Sequence, residues 1–296
     1  MNIWKGIDVS DNQGAIDHAT VAAAGCDFVV LRSTRGSGKA ENRFTENLAG
    51  FLAAGLPVDV YKYTYATTVA RSREEASLVI ELLKKHGHKC KVWWDVEDAA
   101  LKLLGSAQLT ACIHAAKEVI ESAGYRFGLY VGQNVYKEKW LDFNQFATNP
   151  LWVARYPSSK TISFGTEPDE KYLPVNDRAI WGWQFSSTGR VPGISGNADL
   201  DICYQDPAET GLPMAEQGVI WCVSIADVWA EPIAKAVAVA YPGCLVHHAS
   251  VLDVGGINIW IASIADVWTQ EQAEVAQQQF AALGIAGVVH KVQILE

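Results

Sequence analysis

The sequence predicts an α/β protein: an irregular (β/α) barrel of TIM-like type, followed by a small α+β domain. Over residues 1–205, short β-rich runs alternate with amphipathic helical patterns, which indicates parallel strands joined by helical crossovers. Eight strand candidates in this region favour a barrel over an open sheet. Beyond residue 217 a ten-residue segment recurs, which indicates a separate module built from a repeated unit.

The first region supplies the elements of the barrel. Its predicted strands are residues 3–9, 27–33, 57–66, 91–96, 127–131, 151–156, 180–185 and 197–202. Helical patterns cover residues 43–54, 69–86 and 107–123, with apolar residues spaced by three and four. Glycine follows the first and third of these patterns, as is typical of helix ends. Helical patterns fade after residue 140, so loops are predicted to join the last strands.

The second region is predicted to be a distinct domain. Residues 206–217 are interpreted as a linker, because they hold two prolines and lack apolar periodicity. Residues 220–229 and 259–268 match at eight of ten positions, and a helical pattern and a second strand follow each copy. Residues 218–296 are therefore predicted to form two βαβ units of ferredoxin-like type. Residues 206–296 carry two basic and ten acidic residues, which is −8 of the chain's net −9.

Composition excludes several classes of protein. The hydrophobic content of 49% rules out intrinsic disorder. No apolar run reaches the roughly 18–20 residues of a membrane-spanning helix, and the N-terminus lacks the apolar stretch of a secretory signal peptide. The net charge of −9, with no block of Lys or Arg, makes nucleic acid and anionic membranes poor partners. The sequence contains no cofactor-binding motif and no Cys/His cluster of zinc spacing, so neither a cofactor nor a metal is expected.

Carboxylates stand at the ends of three predicted strands. Asp8 lies at the end of the first strand, Asp95 and Glu97 share one face of the fourth, and Asp199 lies in the last. If the strands are parallel, these four acids meet in one cleft at the mouth of the barrel. Repulsion between neighbouring carboxylates raises the pKa of one and holds it protonated as an acid. For the adjacent Asp11, Asp98 and Asp201, a structural role as a cap or surface charge is equally open.

Aromatic residues gather at the same strand ends. They are Tyr61, Tyr63, Tyr65, Trp93, Tyr130, Trp152, Tyr156, Trp181 and Trp183. Such residues form either barrel core or, at the mouth, stacking platforms for sugar rings. Acids with aromatics and no cofactor motif point to glycoside hydrolysis. The predicted substrate-binding residues are Tyr61, Tyr63, Tyr130, Trp152, Trp183 and Gln184.

Residues 3–204 resemble glycoside hydrolase family 25, the phage and bacterial lysozymes. The resemblance rests on GIDVS at 6–10, VDVYKYTYA at 58–66, WDVE at 94–97, GLYV at 128–131, LWVARY at 151–156, WQFS at 183–186 and ADLD at 198–201. It implies an irregular β/α barrel that cleaves the β-1,4 bond between N-acetylmuramic acid and N-acetylglucosamine in peptidoglycan, with net retention.

The resemblance also implies roles for the four acids. Glu97 resembles the general acid, and Asp8 matches the acid of the first strand. Asp95 and Asp199 resemble the partners that orient the substrate's acetamido group or stabilise the developing positive charge. Whether the nucleophile is a protein carboxylate or the substrate's own acetamide stays open. The chain departs from the pattern at Asp201, where many relatives carry asparagine.

The C-terminal repeats loosely resemble SPOR-like peptidoglycan-binding repeats, which implies wall binding; an oligomerisation module is the alternative.

The favoured hypothesis is a phage or prophage endolysin, held in the host cytoplasm until lysis and then acting on the cell wall. A catalytically inactive wall-binding protein and a hydrolase of another β-1,4 aminoglycan, such as chitin, are the alternatives. Self-association is a further hypothesis, because tandem βαβ units offer exposed sheet edges, including to a free module started at Met214.

Overall fold

The computed structural model describes residues 3–36, 38–175, 177–207, 219–228, 231–240, 244–251, 257–267, 270–282 and 285–294. The chain divides into two compact units, Met1–Gly211 and Leu212–Glu296. Residues 208–218, which include Met214 and most of the predicted linker, lie outside the described residues. Within the described ranges, no helix has both the length and the apolar character needed to cross a membrane.

A closed barrel forms the first unit. Its strands are β1 (Trp4–Val9), β2 (Phe28–Arg32), β3 (Val58–Tyr63), β4 (Lys91–Asp95), β5 (Arg126–Gly132), β6 (Leu151–Ala154), β7 (Ile162–Ser163), β8 (Gly182–Arg190) and β9 (Ala198–Cys203). Among the described strands, eight close the barrel in the order β1-β2-β3-β4-β5-β6-β8-β9, and β7 pairs with the end of β8. The prediction of an irregular (β/α) barrel is confirmed.

Strand β9 runs antiparallel to both of its neighbours, β1 and β8, whereas a fully parallel barrel was assumed. In the β1–β9 register, Asp8 pairs with Asp199. Because β9 runs in the opposite direction, Asp199 at its start lies at the same end of the barrel as Asp8 at the end of β1. Asp199 therefore reaches the mouth of the barrel, although the assumption behind its prediction was wrong.

Helices follow most of the early strands. They are α1 (His18–Ala23), α2 (Phe44–Ala53), α3 (Val69–Lys85), α4 (Ala99–Lys102), α5 (Ser106–Ser122) and α6 (Gln133–Lys137). The three predicted helices correspond to α2, α3 and α5, with ends within one residue of the prediction. The Thr68 side chain caps α3 by accepting a hydrogen bond from the backbone N–H of Arg71 at 3.2 Å. Gly55 and Gly124 take the positive φ values of 80° and 74° that end α2 and α5.

Alternation along the strands builds two separate cores. Outward-facing residues such as Val92 and Trp94 of β4 belong to the large core that includes Val79 of α3. Inward-facing residues such as Trp93 and Trp152 form a second core inside the barrel. The interior below the mouth is thus filled by large aromatic side chains.

The second unit is a smaller α+β fold. Its elements are β10 (Val219–Val228), α7 (Glu231–Ala240), β11 (Leu245–Val251), β12 (Ile257–Val267), α8 (Gln270–Ala282) and β13 (Val288–Ile294). The antiparallel order β13-β10-β12-β11 is the ferredoxin-like order that the repeat predicts. Strand β11 also pairs with β13, so the four described strands form a ring without an unpaired edge. The expectation of exposed edges was wrong. Strand β10 carries register shifts next to Ser224, which are irregularities of the β-bulge type.

Candidate active site

A cavity of about 240 Å³ opens at the mouth of the barrel. Residues of the eight strands β1–β6, β8 and β9, and of the segments that follow β4 and β6, supply its walls. Its lining side chains are Asp8, Arg32, Tyr61, Tyr63, Asp95, Glu97, Tyr130, Trp152, Tyr156, Gln184 and Asp199. The structure therefore brings together all four predicted catalytic acids and five of the six predicted substrate-binding residues.

Trp183 is the predicted substrate-binding residue that does not line the cavity. Its side chain is fully buried in the outer core, and its Nε1 donates a hydrogen bond to the backbone oxygen of Arg155 at 2.8 Å. Trp183 precedes Gln184 on β8, and successive side chains of a strand point to opposite faces. Since Gln184 points into the cavity, the assignment of Trp183 to substrate was wrong. Trp93 and Trp181 are also absent from the lining, and both side chains are buried in the inner core.

Two residues of the lining were not predicted as site residues. Arg32 ends β2, and its Nε lies 3.6 Å from Oε1 of Glu41 while its guanidinium lies 5.7 Å from the centre of the Tyr63 ring. Tyr156 was grouped with the strand-end aromatics but was not assigned to substrate. For Arg32 a signal was present, because it is a charged residue at the end of a buried strand, just as Asp8 is.

Gln184 organises one wall of the cavity. Its Oε1 accepts hydrogen bonds from the hydroxyl groups of Tyr130 at 2.8 Å and Tyr156 at 2.5 Å. Its Nε2 donates to Oδ2 of Asp8 at 2.6 Å. Because the amide oxygen is engaged by two hydroxyl groups, the amide nitrogen is directed at the carboxylate, which fixes the position of Asp8.

The carboxyl groups of the cavity differ in their surroundings. Asp95 is 3% exposed, and its Oδ1 has no hydrogen-bond partner among the described residues. Burial and then the charge of Glu97 raise the pKa of Asp95 well above its ordinary value. Burial and then the charge of Glu97 also raise the pKa of Asp199, to about 6.

Glu97 follows β4 and is exposed at the mouth. Partial loss of water around its carboxyl group raises the pKa of Glu97, and the charge of Arg32 opposes that rise. A carboxyl group in this state retains its proton to a higher pH than a free glutamate, while solvent and a bound molecule can still reach it. This is the state required of a general acid.

Asp11, Asp98 and Asp201, for which the sequence left a structural role open, each have a defined position. The Asp11 carboxylate accepts the backbone N–H groups of Asn42 and Arg43 at 2.8 and 2.9 Å, so it anchors the start of α2. The Asp98 side chain accepts the backbone N–H of Ala100 at 2.9 Å and caps α4. Asp201 is buried inside the barrel and accepts a hydrogen bond from Nε1 of Trp152 at 3.0 Å.

Comparison with known proteins agrees with this geometry. Residues 7–194 match the family model for glycosyl hydrolases family 25. An autolytic lysozyme of Clostridium acetobutylicum is 29% identical over 200 residues, which cover 67% of this chain but 55% of that protein. A lysozyme of Lactococcus phage mv1 is 27% identical over 202 residues, which cover 64% of this chain and 98% of that protein.

A solved structure shares the fold of the first unit. The crystal structure of the CTP1L endolysin superposes with a TM-score of 0.56 at 20% sequence identity, covering 70% of this chain and 68% of the other. The matched family segment spans more than half of the sequence and contains six of the eight strands that close the barrel, together with the second half of β1. The chain belongs to family 25 of the glycosyl hydrolases.

Proposed function

We propose that the protein is a peptidoglycan muramidase that hydrolyses the β-1,4 bond between N-acetylmuramic acid and N-acetylglucosamine. The observation that carries the proposal is the exposed Glu97, with its raised pKa, beside the buried carboxyl groups of one aromatic-walled cavity. Membership of family 25 and relatives named lysozymes support the same reaction.

The roles of the acids follow from their environments. Glu97 serves as the general acid that protonates the leaving oxygen, because its carboxyl group is both reachable and disposed to hold a proton. Oδ1 of Asp95, which no described residue hydrogen-bonds, is available to a substrate amide N–H. Asp199 and Asp8 supply negative charge next to the oxocarbenium-like centre, and the reaction proceeds with net retention.

The aromatic residues of the cavity bind the sugar. Tyr61, Tyr63, Tyr130 and Trp152 line the walls, where a pyranose ring packs its C–H faces against an aromatic surface. Gln184 contributes to sugar binding only indirectly, since its amide is already hydrogen-bonded to Asp8 and two tyrosines. Arg32 is the cation in this lining, and its charge is partly balanced by Glu41.

A single digest tests the reaction and its bond. Purified peptidoglycan and chitin are incubated in parallel with the protein, the products are reduced with borohydride, and the reduced ends are identified by mass spectrometry. We expect reduced muramic acid from peptidoglycan and no release from chitin. Reduced glucosamine ends would show a different specificity, and the absence of any product would favour an inactive wall-binding protein. Glu97→Gln serves as the matched control for contaminating hydrolases.

We extend the proposal to an endolysin with two domains: the catalytic barrel at 1–205, a linker at 206–217 and a wall-binding module at 218–296. The two compact units support this division, and the phage relative supports storage in the host cytoplasm before action on the wall. Limited proteolysis of the full chain tests it. We expect cleavage within 206–217 and sedimentation of the small fragment with insoluble walls. A small fragment that stays in the supernatant would favour an oligomerisation role.

We also propose that a free copy of the second unit, started at Met214, associates with the full-length chain. The described strands form a closed ring, so the contact would use a face of that unit and not a strand edge. The activity of the CTP1L endolysin is described as regulated by a secondary translation product, which supports looking for one here. The untagged gene should give a second product of about 9 kDa, from the mean residue mass of the chain. That band should vanish in Met214→Leu. A band that persists in the variant would be a proteolytic fragment and would exclude internal initiation.

A further inference from the structure

Beside Gln184, which pairs in register with Asp201, the inner wall of the barrel holds three carboxyl groups from two neighbouring strands. Asp8 of β1 pairs in register with Asp199 of β9, and Asp201 follows two residues later on β9. Residues two apart on a strand face the same side, so Asp199 and Asp201 both point inward. Asp201 lies opposite Gly6 in the register, so no side chain of that residue fills the space beside Asp8.

Asp201 is the most enclosed of the three, with 1% of its side chain exposed. Its Oδ1 accepts the indole N–H of Trp152 at 3.0 Å. Its Oδ2 is buried and has no hydrogen-bond partner among the described residues. The carboxyl group and the backbone N–H of Asp8 lie within reach of the Asp201 carboxyl group. The Asp201 carboxyl group therefore faces another carboxyl group.

Asp8 is 4% exposed and receives one donor, Nε2 of Gln184. The charges that act on Asp8 most strongly are those of Asp199 and Asp201, all of the same sign. Two buried carboxylates in contact repel each other when both are ionised, and burial adds a large cost for each charge. One proton placed between them removes one charge and turns the repulsive contact into an O–H···O hydrogen bond.

We propose that Asp8 and Asp201 share one proton, and that Asp201 is thereby a positioning residue that holds the Asp8 carboxyl group against Gln184. Burial, reinforced by the neighbouring carboxylates, raises the pKa of both groups well above the ordinary value, in agreement with a retained proton. The consequence for turnover rests on the proposed function, whereas the shared proton itself does not.

Aspartate at position 201 makes the hydrogen bond to Asp8 depend on pH, which asparagine would not do. An asparagine amide donates to Asp8 at every pH, whereas Asp201 makes the bond only while the proton is present. The pair is expected to titrate as one unit, because the two groups are strongly coupled. The other titratable groups that face it are Asp199, Tyr61, Tyr130, Tyr156, Cys26 and Cys203.

The indole N–H of Trp152 reports directly on Asp201. The experiment follows this ¹⁵N-indole signal in the full-length protein from about pH 4 to about pH 9, a range that lies above the ordinary titration of aspartate. Trp152→Phe assigns the signal. The variants compared are Asp201→Asn, Asp8→Asn and Glu81→Gln, the last removing an exposed carboxylate on α3 away from the cluster.

We expect a titration step for the wild type and for Glu81→Gln, and no step for either Asp201→Asn or Asp8→Asn. Loss of the step in Asp8→Asn is decisive, because the new amide would donate to Asp201 and keep it ionised throughout. A step that persists in Asp8→Asn would show that Asp201 holds a proton by itself and would overturn the proposal. A wild type without a step would do the same.

Thermal unfolding, read by tryptophan fluorescence, supplies a second measurement if one variant folds poorly. A carboxyl group whose pKa is raised by folding stabilises the protein at low pH, and that contribution is lost as the pH rises. The midpoint of Asp201→Asn should therefore exceed that of the wild type by about 3 °C or more at about pH 8, with the gap closing toward about pH 4. A gap that does not change with pH would contradict the shared proton. None of these measurements uses substrate, so their failure is distinguishable from failure of the muramidase proposal.

Discussion

The two ends of the barrel interior handle buried charge in opposite ways. At the lower end, Asp59 of β3 and Lys91 of β4 form an ion pair with 3.2 Å between Oδ2 and Nζ. Asp59 also accepts the backbone N–H of Lys91 at 2.9 Å and Nε1 of Trp93 at 3.2 Å. At the mouth, the same two strands end in Tyr63 and Asp95, and Oδ1 of Asp95 has no hydrogen-bond partner among the residues that the structure describes.

The difference separates paired charges, which maintain the fold, from the carboxyl groups at the mouth, for which we propose a catalytic role. A buried charge is tolerated when it is paired and hydrogen-bonded, as at the lower end. At the mouth, burial and then the charge of Glu97 raise the pKa of Asp95 and of Asp199. Such an arrangement costs stability, so we expect substitutions at the two ends to have opposite effects on stability and activity.

The largest effect is expected for Glu97→Gln. The amide nearly preserves shape but has no acidic proton to give to the leaving oxygen, so kcat should fall by about 10²–10⁴-fold. The unfolding midpoint should stay close to that of the wild type, because the side chain is exposed. The rate of muropeptide release from solubilised peptidoglycan measures the loss, with Glu81→Gln as the control. A variant that keeps more than about a tenth of the wild-type rate would remove Glu97 from the role of acid.

Substitution at the lower end should reduce the stability of the fold and not the turnover. Lys91→Met leaves Asp59 buried without its cation, which should lower the free energy of unfolding by about 3–5 kcal/mol. Denaturant titration measures the change. The double variant Lys91→Met with Asp59→Asn should recover much of the loss, because the uncompensated charge is gone. If the single variant lost turnover without losing stability, the division between the two ends would be wrong.

Asp95→Asn should lose activity and gain stability. The pKa of Asp95 is raised in the folded protein, so its contribution to stability is present at low pH and is lost as the pH rises through the folded pKa. The variant should therefore be more stable than the wild type by about 1 kcal/mol at neutral pH, with no advantage in acid. Unfolding midpoints across pH test this directly. An equal or lower stability of the variant at neutral pH would show that the Asp95 carboxylate is better compensated than its contacts indicate.

The smallest effects are expected from a pair of tryptophan variants. Trp152→Phe removes a donor to Asp201 and reshapes the cavity wall, so kcat/KM should fall by about tenfold, the equivalent of one hydrogen bond to a charged group. Trp183→Phe should leave kcat/KM within about threefold and lower only the stability, through loss of the bond to Arg155. Similar kinetic losses in both variants would argue against the placement of Trp183 outside the cavity.

Much of this site was predictable because alternation along a strand is a strict rule. Asp95 and Glu97 were placed on one face by their spacing, and both line the cavity. The same rule, applied to β8, would have separated Trp183 from Gln184. Arg32 was not predicted, because the sequence argument relied on carboxylates and aromatic residues. Its position at the end of a strand was nevertheless informative.

Other features depended on information that lies far apart in the chain. The antiparallel direction of β9 follows from its pairing with β1 and β8, and nothing within residues 198–203 reveals it. Ring closure in the second unit depends on the pairing of β11 with β13, which are separated by a strand and a helix. Local patterns predict elements and faces, whereas strand direction and closure are set by tertiary packing.

The direction of β9 also decides where the barrel can be joined to other sequences. Trp4 near the start of β1 pairs with Cys203 at the end of β9, so the barrel segment begins and ends side by side. This place lies at the lower end, roughly 20 Å from the mouth by the rise of a six-residue strand. An additional module can therefore be fused at either terminus, or the termini can be linked and the chain reopened in a loop, without a new junction at the catalytic opening. The barrel can therefore be combined with different modules without a change at its mouth.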